Sequence, residues 1–169
     1  PTPRRVMRHS VPSLTRAQSD MKANELMTPS PCCASTQSSA RDVAVLMREH
    51  DCGAIPVVDE SGCVVGMITD RDLAIRALAD GKDGDTKVGE IMTSSPCCAS
   101  VDDNVRDIER LMSENQVRRV PIVDASGCCV GIVSQADLAR AAERDKVTEH
   151  EVALVVEAIS EPSAFRRTA

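Results

Sequence analysis

Displaced by 65 residues, the sequence lands on itself without a gap. Met27-Thr28 falls on Met92-Thr93, Pro31-Cys32-Cys33 on Pro96-Cys97-Cys98, and Pro56 on Pro121. Further along, Asp59 meets Asp124, Gly62-Cys63 meets Gly127-Cys128, Gly66 meets Gly131, and Asp72-Leu73 meets Asp137-Leu138. A fixed period of this length marks a duplicated supersecondary unit. Two copies are expected to close on each other about a pseudo-twofold axis, where a longer array would extend as a solenoid.

Each copy reads alike. "PCCAS" is a short buried strand candidate. A helix follows, with Ala40, Val43, Leu46 and Met47 at helical intervals and Ser38 or Ser39 placed to cap it. Its partner spaces Val105, Ile108, Leu111 and Met112 identically, with Asp102 or Asp103 as the expected cap. "AIPVVD" and "CVVGMIT" are β-branched runs around a "DESG" turn, a hairpin signal that "VPIVD", "ASG" and "CCVGIVS" repeat. A second helix ends each copy, "DRDLAIRALA" and then "QADLARAAERD". The unit is β-α-β-β-α and the fold class α+β, a mixed α/β arrangement. The expected division is a basic tail at 1–22, a first unit at 23–81, a charged, glycine-containing linker at 82–89, and a second unit at 90–145. Residues 146–169 form a C-terminal helix and tail, in which Val152, Val155, Val156 and Ile159 make a stripe expected to pack on its own domain.

Charge is uneven along this plan. Residues 1–22 carry a net +4 and the remainder −10. An acidic body does not suit a nucleic-acid backbone, which needs clustered Lys and Arg. No stretch approaches the ~20 apolar residues of a membrane span, and no apolar run follows the tail's arginines as a secretory signal requires. Eight cysteines then read as reduced thiols in a cytoplasmic setting. Nothing resembles an active site: His9, His50 and His150 are scattered, and neither a Walker-type loop nor a nucleophile elbow is present. The expectation is no catalytic residue, no metal site and no permanent cofactor.

The openings "LMTPSP" and "IMTSSP", the middles "AIPVVD" and "VPIVD", and above all "GMITDRDL" and "GIVSQADL" resemble a tandem pair of cystathionine β-synthase (CBS) domains, a Bateman module, over roughly residues 24–145. Read as residues alone, Thr69 with Asp72 and Ser134 with Asp137 fit two roles. A hydroxyl and exposed helix N–H groups suit phosphate oxygens, and a carboxylate suits a ribose diol. The same spacing is also a helix-capping signature. The resemblance implies binding: in such pairs these positions hold the phosphate and ribose of adenosyl ligands. It also implies that Arg118 and Arg119 face phosphates bound by the other repeat's Thr69 and Asp72, and it adds Ile55 and Val120 to the ligand set. At the positions of Arg118 and Arg119 the first repeat has Gly53 and Ala54, leaving Ser134 and Asp137 without a cationic clamp on this reading. The expected ligand is AMP, ATP or an S-adenosylmethionine-like compound, bound between the repeats of a homodimeric regulatory module that signals to a partner protein.

The cysteines support a rival, a metal or redox sensor built on Cys32, Cys33, Cys63 and their repeats. Against it, the spacing is CC and not C-x-x-C, and adjacent strand residues point to opposite faces. Cysteine is also a small, often buried hydrophobe, and these are read as structural thiols.

Overall fold

The computed structural model of this chain describes residues 21–143 and 147–161. Most of the expected basic tail and the last eight residues lie outside the described residues. The chain begins with α1 (Ala23–Leu26) and β1 (Thr28–Pro29), followed by β2 (Ala34–Ser35), α2 (Ala40–Glu49), β3 (Ala54–Val58) and β4 (Val64–Thr69). Next come α3 (Asp70–Asp72), which runs on as a π-helix over Leu73–Leu78, and then α4 (Val88–Ile91) and β5 (Thr93–Ser94). The second copy is β6 (Ala99–Ser100), α5 (Val105–Asn115), β7 (Arg119–Val123), β8 (Cys129–Ser134) and α6 (Gln135–Ala142), with α7 (Glu149–Ser160) behind it.

The β-α-β-β-α units form two four-stranded sheets, ordered β2-β3-β4-β5 and β1-β8-β7-β6. Each sheet therefore takes its edge strand from the other repeat. Thr28 and Pro29 pair with Ile132 and Gly131, and Thr93 and Ser94 pair with Met67 and Gly66. The helices ahead of these strands cross as well. Ala23 is fully buried with Ile108, Met112 and Leu138, while Val88 and Ile91 join the core of Val43, Ile55 and Ile68. Residues 21–29 thus pack in the second unit and 88–94 in the first, across the boundaries drawn from the sequence. The expected linker is docked, not loose: Ala40 and Arg41 N–H groups donate to the Thr86 and Gly84 carbonyls at 2.8 and 2.9 Å. These bonds satisfy orphan donors at the start of α2.

Two glycines make the exchange possible. Met27 lies directly over Gly131 and Met92 over Gly66, where any Cβ would collide with the methionine sulfur. At Gly131 the added carbon would also sit 2.8 Å from Met27 Cγ and 3.1 Å from its Cβ, atoms close to the backbone that cannot swing away. Gly131→Ala is therefore expected to destabilise the protein by about 1–3 kcal/mol, the range for overpacking. Gly66→Ala should cost less, because the nearest atoms are the far end of Met92. Denaturant melts of the two variants check this ordering, and equal stability to the parent would contradict the exchanged packing.

Local expectations fared unevenly. Ser39 caps α2, accepting from the Asp42 N–H at 3.1 Å. The cap of α5 is Asn104, accepting from Arg106 N–H, and not Asp102 or Asp103; the Asp103 carboxylate instead accepts from Ser100 N–H at 2.7 Å and closes the preceding turn. "PCCAS" is not a strand throughout. Ser30 and Ser95 take left-handed backbone at φ 50°, the prolines follow, and pairing begins only at Ala34 and Ala99. All four cysteines of the CC pairs consequently precede the strands and are half-buried, not core strand residues. Val155 and Ile159 of α7 are buried in the core of the second unit, and α7 packs on α5 and α6.

Candidate functional site

Strands β4 and β8 each end at a hydroxyl that caps the next helix. Thr69 Oγ1 accepts from Asp72 N–H at 3.1 Å and donates to Asp72 Oδ2 at 2.6 Å, while Thr69 N–H donates to the same oxygen at 3.0 Å. Ser134 and Asp137 reproduce the arrangement at 3.3, 2.6 and 2.7 Å. The capping reading is therefore realised in both repeats. It leaves the binding reading intact, because a carboxylate has two oxygens and about four lone-pair sites. Oδ2 is held by the cap, while Oδ1 points elsewhere: toward Arg76 Nε at 3.4 Å for Asp72, and onto the Arg140 guanidinium for Asp137.

The two corners differ in charge. Register sets Arg119 directly opposite Ser134, and Ala54 opposite Thr69. Residues opposed in an antiparallel pair project on the same face, so Arg119 stands beside its own repeat's hydroxyl. A purely cross-repeat clamp, with both arginines given over to Thr69 and Asp72, does not follow from this register. Among the described residues no ion pair engages Arg118 or Arg119. In the first corner the place of Arg118 is taken by Gly53, and the Asp70 carboxylate fills the space, 2.8 Å from where a Cβ would lie. The second corner thus offers a hydroxyl, a carboxylate and a guanidinium without an ion pair among the described residues; the first offers a hydroxyl flanked in sequence by two carboxylates.

Ile55 and Val120 belong to the cores. Both have zero exposure, in the central strands β3 and β7, so neither side chain meets a ligand in this conformation. Sequence reasoning missed Asp70 and Arg140. Arg140 was legible as the residue three after Asp137, a helical contact, whereas Asp70 needed the Gly53 neighbourhood.

The thiols form contacts of their own. Burial and the neighbouring Cys52 push Cys32 up to about 11. A hydrogen bond with the Cys129 thiol holds Cys33 down at about 7, and the same bond with burial pushes Cys129 far above the usual thiol range. Iodoacetamide should therefore modify Cys33 at a rate that climbs through about pH 7 as its thiolate forms, with Cys32 silent until much higher pH. Peptide mapping across a pH series checks it, and labelling of Cys32 ahead of Cys33 would contradict this contact pattern. Among the described residues, no group of three or more His, Cys, Asp or Glu side chains is placed to hold a metal ion.

The CBS-domain family matches the chain over residues 23–78 and 88–144. CBS domain-containing protein YhcV of Bacillus subtilis is 42% identical over 115 residues, 68% of this chain and 81% of that protein. The crystal structure of Hypoxic Response Protein I with two coordinated zinc ions shares 35% identity at a TM-score of 0.66, covering 71% of this chain and 98% of that one; the curated protein of that name is from Mycobacterium tuberculosis. Arabidopsis thaliana CBSX2 in complex with AMP shares 31% identity at a TM-score of 0.64, covering 74% and 98%.

Proposed function

The chain belongs to the CBS-domain family, and CBS domains are non-catalytic regulatory modules; from that premise we propose that it senses an adenine nucleotide or related adenosyl compound and passes a shape change to a partner protein. The observation that carries this reading is the second corner, where register sets Arg119 opposite Ser134, Ser134 holds Asp137, and no ion pair among the described residues engages the Arg119 guanidinium. A guanidinium and a hydroxyl suit phosphate, while the second oxygen of the buried Asp137, held by Arg140 in this conformation, suits a ribose diol that displaces that guanidinium. Phosphorylated ligands such as AMP or ATP fill this corner first. The first corner, with Asp70 and Asp72, favours an adenosyl ligand without phosphate or with a positive centre, as in S-adenosylmethionine. Signalling follows from differential affinity for two conformations.

Melting temperature tests the reading. At a tenfold excess over its dissociation constant a nucleotide adds about 1.4 kcal/mol, or roughly 4 °C for a chain of this size. AMP should give that rise and inorganic phosphate should not. No rise with AMP, ATP or S-adenosylmethionine would count against it.

A homodimer is part of the proposal. Ile75 and Leu78 on the π-helix and Leu154 on α7 are exposed apolar side chains at 46%, 77% and 51%, and Leu78→Glu should shift light-scattering mass from dimer to monomer. A cytoplasmic setting is proposed with it. No helix among the described residues is long and apolar enough to cross a membrane.

A further inference from the structure

The turns of the two hairpins meet at the pseudo-twofold axis, and a cysteine stands on each side. Cys63 and Cys128 form an isolated antiparallel bridge between the repeats. The bonds that make it run from Cys129 N–H to the Gly62 carbonyl at 3.0 Å and from Val64 N–H to the Gly127 carbonyl at 3.3 Å. They flank the cysteines, which are therefore a non-hydrogen-bonded pair, the class whose Cα atoms lie about 4.5 Å apart with side chains close together. That spacing falls inside the roughly 4.4–6.8 Å that a disulfide requires. The side chains agree with the backbone. Cys63 Sγ donates to the Ser126 carbonyl at 3.5 Å and Cys128 Sγ donates to the Ser61 carbonyl at 3.3 Å, so each thiol reaches across to the other repeat.

We propose that Cys63 and Cys128 are a reversible disulfide site that staples the two repeats together. The oxidant is a small disulfide of the glutathione class. One cysteine, as thiolate, attacks the small disulfide, forming a mixed disulfide and expelling one reduced thiol. The second cysteine gives up its proton and attacks the protein-borne sulfur, expelling the other reduced thiol. The two cysteines lose two protons and two electrons, and one small disulfide becomes two thiols.

Position gives the bond a consequence. Cys63 and Cys128 immediately precede β4 and β8, and Thr69 and Ser134 end those strands, about 20 Å further on at 3.3 Å per residue. The staple therefore fixes how the repeats sit without entering either corner, and it stands whether or not a nucleotide binds. Burial raises the Cys128 thiol, with the nearby Asp124, Cys63 and Asp59 adding to it. Thiolate is scarce at neutral pH, so closure is slow there and quickens as pH rises.

The test uses the full chain incubated with oxidised glutathione at about pH 8, quenched by alkylation and digested without reductant. The expected product is a peptide pair joining Cys63 to Cys128, lighter than the two free peptides by two hydrogens. The oxidised protein should melt roughly 10 °C higher, from the long loop the bond closes, and revert with dithiothreitol. Cys63→Ser, folded by its reduced melt, should lose both effects, and Cys33→Ser should keep both. Cys63 and Cys128 left fully alkylated, or a Cys33–Cys129 link in their place, would overturn the proposal.

Discussion

Arg119→Ala and Asp137→Ala should each weaken binding of a phosphorylated nucleotide by about one to two orders of magnitude. Both remove a charged partner, and hydrogen bonds to charged groups contribute about 1.5–3 kcal/mol net. The two residues belong to one corner because Arg119 opposes Ser134 in the β7–β8 ladder and Ser134 caps the helix that carries Asp137. Losses in the single variants and the double variant should therefore be less than additive. Asp72→Ala should leave that tight site within about twofold, since its corner holds Asp70 where the other holds Arg118. If Asp72→Ala and Arg119→Ala instead remove the same site while Asp137→Ala spares it, the guanidinium serves across the repeats and the same-repeat assignment fails. Because Asp137 also caps α6, Asp137→Asn separates the roles. It keeps a side-chain oxygen for the cap and removes the charge that a diol would meet.

The second large effect lies one residue further on. Leu138→Ala should destabilise the chain by about 2–5 kcal/mol, as large-to-small changes in sealed cores do. Leu138 has zero exposure, in a core that also holds Ala23 from the exchanged α1 and Val155 and Ile159 from α7. Helices α1 and α7 and strand β8 all pack on its helix, so little can collapse into the space left behind. Its repeat-mate Leu73 only packs against the edge of the first core, at the start of the π-helix, and is half-buried. Leu73→Ala should cost distinctly less. Urea denaturation of the two variants compares pseudo-equivalent positions in one molecule. Equal losses would mean that α1 and α7 do not seal the second core.

The repeat, the hairpins, the Ser39 cap and the hydroxyl–carboxylate pairs were legible in the sequence because each is local or follows from a fixed period. The exchange of edge strands was not. Thr28–Pro29 and Thr93–Ser94 are two-residue strands with no alternation to read, and their partners are chosen by Gly131 and Gly66, which leave room for Met27 and Met92. The CC pairs misled for a related reason: their β-compatible residues follow left-handed serines and prolines that delay the ladder. The resemblance set Arg119 against the other repeat's Thr69 and Asp72, whereas strand register, which the sequence does not display, places it opposite Ser134 of its own repeat. Ile55 and Val120 were placed in the ligand set by resemblance, whereas their central strands leave them no surface.

Isothermal titration calorimetry of AMP into the protein tests the central claim most directly, since a chain without Trp or Tyr offers no strong fluorophore to report binding. The account predicts saturable binding, with the tighter event lost in Arg119→Ala and retained in Asp72→Ala. Absence of heat from AMP at several temperatures, together with none from ATP or S-adenosylmethionine, would contradict it.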